Sequence, residues 1–128
     1  MVTSTITCPM TPPDPRTHLP LRPVDLQLLL ALAQQELHGY ALVRAIEAAT
    51  DGLVRLDPGN LYRVVKRLLA AGLVVEADRR AAPDAEGERR RYYRLTALGG
   101  RVLAEELRRL QALTRSPEAR AVVRAWAT

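Results

Sequence analysis

Asn60, Arg63, Lys66 and Arg67 recur at spacings of three and four residues within the run PGNLYRVVKRLLA. A helix over this stretch carries all four on one side, opposite an apolar stripe of Leu61, Val64, Val65, Leu68 and Leu69. The chemistry available to such a face is recognition of polyanions. Arginine can bond two acceptors on guanine, asparagine can do so on adenine, and lysine brings a mobile charge to a phosphate. The plain alternative is a basic face that only keeps the chain soluble. A second group of cations, Arg79, Arg80, Arg89, Arg90 and Arg91, brackets the polar stretch that holds Pro83 and Gly87. Asp84, Glu86 and Glu88 lie within that stretch and dilute the field near its centre, so phosphate contacts are expected from its arms.

Catalytic chemistry finds no such constellation. His18 and His38 have no metal-ligand spacing with other His, Cys or acidic residues, and no serine sits in a nucleophile-elbow pattern. Gly99-Gly100 does not form a phosphate-binding loop, and His38 reads as a helix-entry residue. The expectation is a non-enzyme without cofactor or metal.

The elements that must hold the basic face outward can be read on either side of it. Pro23 suits the first turn of a helix, and VDLQLLLALAQQ after it is apolar nearly all round, as a buried helix is. The segment HGYALVRAIEAAT gives a second helical period through Tyr40, Leu42, Val43, Ile46 and Ala49, with Arg44 and Glu47 outside it. Asp57 before Pro58 is the strongest helix start in the chain, and Gly72 stops the third helix. LVVEA and RYYRLT then alternate as two strands around the polar loop, after which Thr96 caps a fourth helix. Leu103, Leu107, Leu110 and Leu113 make a seam on that helix, and Ser116-Pro117-Glu118 kinks or restarts it. The predicted fold is mainly α with a small β-hairpin: a winged helix-turn-helix followed by a C-terminal dimerisation helix. Residues 1–20, with five prolines and few apolar side chains, are expected to form a disordered tail. Residues 21–96 form the nucleic-acid-binding domain, and 97–128 the dimerisation helix with a break near Pro117.

At 128 residues the chain holds one core, filled by Leu, Val and Ala because it has no Phe and only five aromatics. The net charge of +5 is unevenly spread: residues 21–57 sum to −2, residues 58–96 to +4 and residues 97–128 to +3. A local basic patch points to a polyanionic partner, and the winged helix-turn-helix order makes double-stranded DNA the expected one. One cysteine, Cys8, cannot form an internal disulfide, and no stretch approaches the roughly 18 apolar residues of a membrane span. A cytoplasmic, nucleoid-associated protein is expected, with no membrane partner.

His38-Gly39-Tyr40, then Gly59-Asn60-Leu61-Tyr62-Arg63 with Leu68 and Ala71-Gly72-Leu73-Val74, then Arg91-Tyr92-Tyr93-Arg94-Leu95-Thr96 with Gly99 and Arg101-Val102-Leu103, stand in a fixed order. Over roughly residues 22–110 this succession resembles the PadR-like transcriptional regulators. The resemblance implies a homodimeric winged-helix repressor, dimerised through its C-terminal helix, with Tyr62 at or toward the phosphate backbone. A two-fold dimer would set two recognition helices about 34 Å apart and favour an inverted-repeat operator. Related regulators often answer to a small-molecule effector, and Trp126 is the residue that could line its cleft, the plainer role being packing. The competing reading is a winged-helix module that binds another protein and no DNA.

Overall fold

The computed structural model describes residues 14–77 and 91–127. Five helices, α1 (Pro23–Gln34), α2 (Gly39–Ala49), α3 (Pro58–Ala70), α4 (Ala97–Arg115) and α5 (Pro117–Trp126), accompany three short strands, β1 (Leu37–His38), β2 (Val74–Ala77) and β3 (Tyr92–Leu95). The mainly helical reading holds, but the sheet has one more strand than the hairpin predicts. Its order is β1-β3-β2, antiparallel throughout, with Leu37 opposite Tyr93 and Val74 opposite Leu95.

Each helix boundary has a local cause. His38 accepts a hydrogen bond from the Ala41 N–H through Nδ1 at 3.3 Å, so the histidine caps α2. Asp57 caps α3 by accepting from the Asn60 N–H at 2.8 Å, with Pro58 in the first turn where its missing N–H costs nothing. Gly72 ends that helix at φ +79, a left-handed conformation that glycine adopts without a Cβ penalty. Its N–H donates to Leu69 and the following Leu73 N–H to Leu68, the pair of bonds that closes a Schellman turn.

Thr96 joins the two halves of the fold. Its hydroxyl donates to the Gly72 carbonyl at 2.7 Å and accepts from the Gly99 N–H at 2.9 Å, so one side chain ties the end of α3 to the start of α4. Its own N–H donates to the Leu73 carbonyl. The approach is so close that Gly99 has no room for a side chain. A Cβ there would collide with the Leu73 carbonyl oxygen and lie 2.9 Å from Leu95 Cδ1. The core gathers around this joint: Leu28, Leu29 and Leu32 of α1, Leu42 and Ile46 of α2, Val102 and Leu103 of α4, Tyr93 of β3 and the apolar side of α3.

The segment expected to stand apart as a tail joins the fold from Asp14 onward. Pro15–His18 make a single 3-10 turn that packs against α4, and Leu19 and Leu21 pack on the core. The Leu21 N–H donates at 2.8 Å to Glu106, a carboxylate only 1% exposed that is also gripped by the Arg109 guanidinium. The Arg109 bond, aided by the Leu21 N–H against the cost of burial, holds the Glu106 carboxyl below its ordinary range. Residues 1–13 lie outside the described part of the chain.

Gly99→Ala is expected to lower unfolding stability by about 3 kcal/mol, because the collision is with backbone that cannot rotate away. Gly100→Ala, whose Cβ would meet only Leu95 Cδ2 at 3.8 Å, should be neutral or stabilising by up to about 1 kcal/mol. Urea unfolding of the two variants measures the contrast, and equal effects would contradict the close approach.

Candidate nucleic-acid interface

Helix α3 is the amphipathic centre of the molecule. Leu61, Val64, Val65 and Leu68 are buried, and the first turn of α2 sits directly on them, since a Cβ at Gly39 would come within 3.3 Å of Leu61 Cδ2. The opposite side exposes Asn60, Tyr62, Arg63 and Lys66. Tyr62 and Arg63 lie four and three residues before Lys66, so the three share one stripe, flanked by Gly59 and Ala70, whose small side chains leave the backbone approachable. No acidic residue lies within α3. Among the described residues, neither Arg63 nor Lys66 forms an ion pair with an acid.

Arg67 differs from the other cations of the helix. Its guanidinium donates at 2.5 Å to Asp25, a buried carboxylate in the first turn of α1, and is only 39% exposed. The sequence spacing groups it with Arg63 and Lys66, yet the structure places it at the rim of the face, spent on holding α3 to α1. Asp25, which sequence reasoning passed over, is therefore the residue that positions this end of the helix. Its only signal in the sequence was an acid in the first turn of an otherwise apolar helix, which reads equally well as a favourable dipole contact. Asn60 is also partly committed. Its Nδ2 donates to Asp57 at 3.1 Å, which leaves the amide oxygen and one N–H for any partner.

At the root of the wing, Arg91 faces Glu76 at 4.0 Å with both side chains well exposed, a weak and salt-sensitive pairing. Tyr93, opposite Glu76 in the sheet, points into the core, and burial first and the Glu76 charge second push its phenol up. Arg79, Arg80, Arg89 and Arg90 lie outside the described residues.

The expected seam of α4 divides in two. Leu103 is buried in the chain's own core beside Val102, and so it is not available to a partner. The physical reason is position: the first two turns of α4 lie over the sheet and α1, and only later turns run clear. Leu107 and Leu113 are exposed and Leu110 is half-buried. The break near Pro117 is a capped restart. Ser116 has extended backbone and its hydroxyl accepts from the Ala119 N–H, opening α5. That helix exposes Val122, Val123 and Trp126, the last of them 81% exposed.

The model of the transcriptional regulator PadR-like family matches residues 28–105. Among curated proteins, transcriptional regulator Rv3488 of Mycobacterium tuberculosis is 38% identical over 92 residues, covering 72% of this chain and 79% of that protein. An uncharacterised 37.1 kDa protein in transposon TN4556 of Streptomyces fradiae is 40% identical over 88 residues, which span 67% of this chain and 23% of that protein. Among solved structures, a PadR family transcription regulator from hypervirulent Clostridium difficile superposes with a TM-score of 0.61 at 19% identity, covering 82% of this chain and 98% of that one. The complex structure of hsRosR-S4 superposes with a TM-score of 0.63 at 22% identity, covering 88% and 91%. These two likenesses are of fold. No described helix is long and apolar enough to cross a membrane.

Arg67→Ala is expected to cost about 2 kcal/mol of unfolding stability, less than the loss of a fully buried pair because the arginine is part-exposed. Adding Asp25→Asn should return part of that loss by removing the stranded charge. Chemical denaturation of the single and double variants measures it, and additive losses would show that the two side chains do not cooperate.

Proposed function

Because the chain belongs to the PadR-like family of transcriptional regulators and is no enzyme, we propose that it binds double-stranded DNA as a homodimeric repressor of an inverted-repeat operator. The observation that carries this reading is the outer stripe of α3, where Arg63 and Lys66 stand exposed on a helix without a single acid. Lys66 in the middle of the stripe is of a type that protein-binding surfaces deplete. A helix of this diameter fits the major groove, where Arg63 and Asn60 can address base edges while Tyr62 and Lys66 reach the flanking phosphates. The arms of the wing, with Arg79, Arg80, Arg89, Arg90 and Arg91, would follow the backbone to one side.

The dimer follows from unpaired apolar surface. Leu107 and Leu113 on α4, together with Val122, Val123 and Trp126 on α5, leave a row of large apolar side chains in water. A second copy related by a two-fold axis would cover it with the same row. An effector that releases DNA would bind at that end, where Trp126 of one chain needs the other to form the second wall of a cleft.

Selection of bound fragments from a random duplex pool should return a two-fold symmetric site. Affinity for it should fall by about a thousandfold or more between 50 and 200 mM salt if roughly six phosphates are neutralised. Arg63→Ala should cost about 1–3 kcal/mol and relax preference at one base position per half-site. A chain that binds no duplex at low salt, or whose partner proves to be a protein with salt-insensitive affinity, would overturn the reading. Independently, Leu107→Glu with Leu113→Glu should yield folded monomers in sedimentation, with operator binding weakened at least tenfold; a double variant that stays dimeric contradicts the seam.

A further inference from the structure

We propose that Asp57 is a positioning residue that sets specificity: by gripping the Asn60 amide it presents that side chain to one A·T pair in each half-site, and its charge keeps phosphate from the start of α3. The inference rests on the DNA-binding reading above and deepens it, because that reading sends Asn60 to base edges without fixing which base or what orients the amide. Sequence spacing assigns Asp57 only the task of starting the helix.

Asp57 holds two groups of a single neighbour. One carboxylate oxygen accepts the Asn60 backbone N–H at 2.8 Å, and the other accepts from Asn60 Nδ2 at 3.1 Å. An ionised carboxylate only accepts, so the amide atom facing it is the nitrogen, and Oδ1 is turned the other way. The carboxylate itself has little freedom, since both oxygens are engaged and its backbone is held extended (φ −80, ψ 164) before Pro58. It lies on the main-chain side of the amide, where it takes the Nδ2 hydrogen that points back toward Cβ. The outward edge then carries Oδ1 beside the second Nδ2 hydrogen, an acceptor next to a donor. In the major groove adenine offers the matching pair, its N6 amino group beside N7. Left unheld, the amide could turn over about χ2 and exchange its donor for its acceptor.

The surroundings leave that edge open. Asn60 is exposed, and among the described residues its amide makes no other hydrogen bond. Gly59 has no side chain to cover the pair, whereas a Cβ there would stand 3.4 Å from the Asp57 oxygen that caps α3. Arg63 lies three residues on and shares the exposed side, so a base edge that meets one lies near the other. The charge of Asp57 acts in the same direction. A helix start with free N–H groups attracts phosphate, but here the carboxylate occupies that position, and among the described residues it forms no ion pair. The first turn of α3 therefore repels the backbone of any duplex that lacks a matching base to hold it in the groove.

The test measures the full chain, Asn60→Ala, Asp57→Ser and the double variant by fluorescence anisotropy. The probes are the selected duplex, duplexes altered at single base pairs, and a scrambled duplex of equal length. Serine still caps α3 but is too short to hold Nδ2 as well, and thermal melting checks that the fold is retained. The selected site should contain one A·T pair per half-site at which Asn60→Ala lowers discrimination by about ten- to a hundredfold, the worth of one bidentate contact. Asp57→Ser should lower discrimination at that same pair by about three- to tenfold, the effect of leaving one side chain to be ordered on binding, with no change at other positions. On the scrambled duplex it should tighten binding, by about threefold in dilute buffer and less as salt is raised. In the Asn60→Ala background Asp57→Ser should keep its effect on the scrambled duplex and lose its effect on discrimination, which a merely structural cap would not do. Three outcomes would overturn this inference and leave the operator-binding reading standing: unaltered discrimination in Asp57→Ser, an equal loss in both backgrounds, or a pair other than A·T at the Asn60 position. Absence of any duplex binding by the unaltered chain would instead overturn that reading and this one with it.

Discussion

The structure depends on the burial of one side of α3. Leu61, Val64, Val65 and Leu68 together are worth roughly 6–12 kcal/mol as an upper estimate for four aliphatic side chains removed from water. That is comparable with the whole net stability of a domain this size. Rotating the helix by one residue would expose part of that stripe and drive Arg63 or Lys66 toward an interior whose neighbouring acid, Asp25, is already paired with Arg67. The apolar side therefore fixes the direction of the cationic side, and the recognition surface costs the fold nothing beyond what the core already requires. The one cation of α3 that does turn inward, Arg67, does so because the first turn of α1 offers Asp25.

Local signals in the sequence were sufficient wherever the cause was local. Asp57-Pro58, Gly72 and Thr96 mark helix ends through caps that involve neighbours within a few residues, and each does in the structure what its type suggests. The features without a local signal are those set by distant partners. Leu37–His38 are too short to show alternation, and they become a strand only because β3, more than fifty residues later, offers an edge. The stretch before Pro23 reads as a tail from its prolines, yet Leu19 and Leu21 find the core and Glu106 accepts the Leu21 N–H from 85 residues away. Leu103 obeys the same spacing as Leu107 and Leu110, and only the tertiary arrangement shows that its turn of α4 is covered. Arg67 and Asp25, 42 residues apart, are the same case in the candidate site.

Net charge along the chain is a poor guide to the field at the surface for a related reason. Of the acids beside α3, Asp25 is neutralised by Arg67, whereas Asp57 caps the helix and keeps its charge at the first turn. Segment sums, which count Asp25 and Arg67 in different segments, conceal such pairing. Pairing decides the sign of the surface, and pairing is a property of the fold.

The joint at Thr96 gives that surface a mechanical connection to the far end of the molecule. One hydroxyl that donates one hydrogen bond and accepts another, with a glycine packed against the Leu73 carbonyl, ties the start of α4 directly to the end of α3. Close-packed contacts of this kind transmit displacement as rigid-body movement, because neither side can yield without opening a void or a clash. In the proposed dimer the later turns of α4, which carry Leu107 and Leu113 clear of the core, would act as a lever whose base is tied to the end of α3. In a two-fold pair joined through those turns, a small change in the angle between the levers alters the spacing of the two α3 faces. DNA of fixed helical pitch tolerates only a narrow range of that spacing. Under the proposed dimer, control of binding from the C-terminal end would require no flexible relay through the domain, only the stiffness that Gly99 and Thr96 already impose.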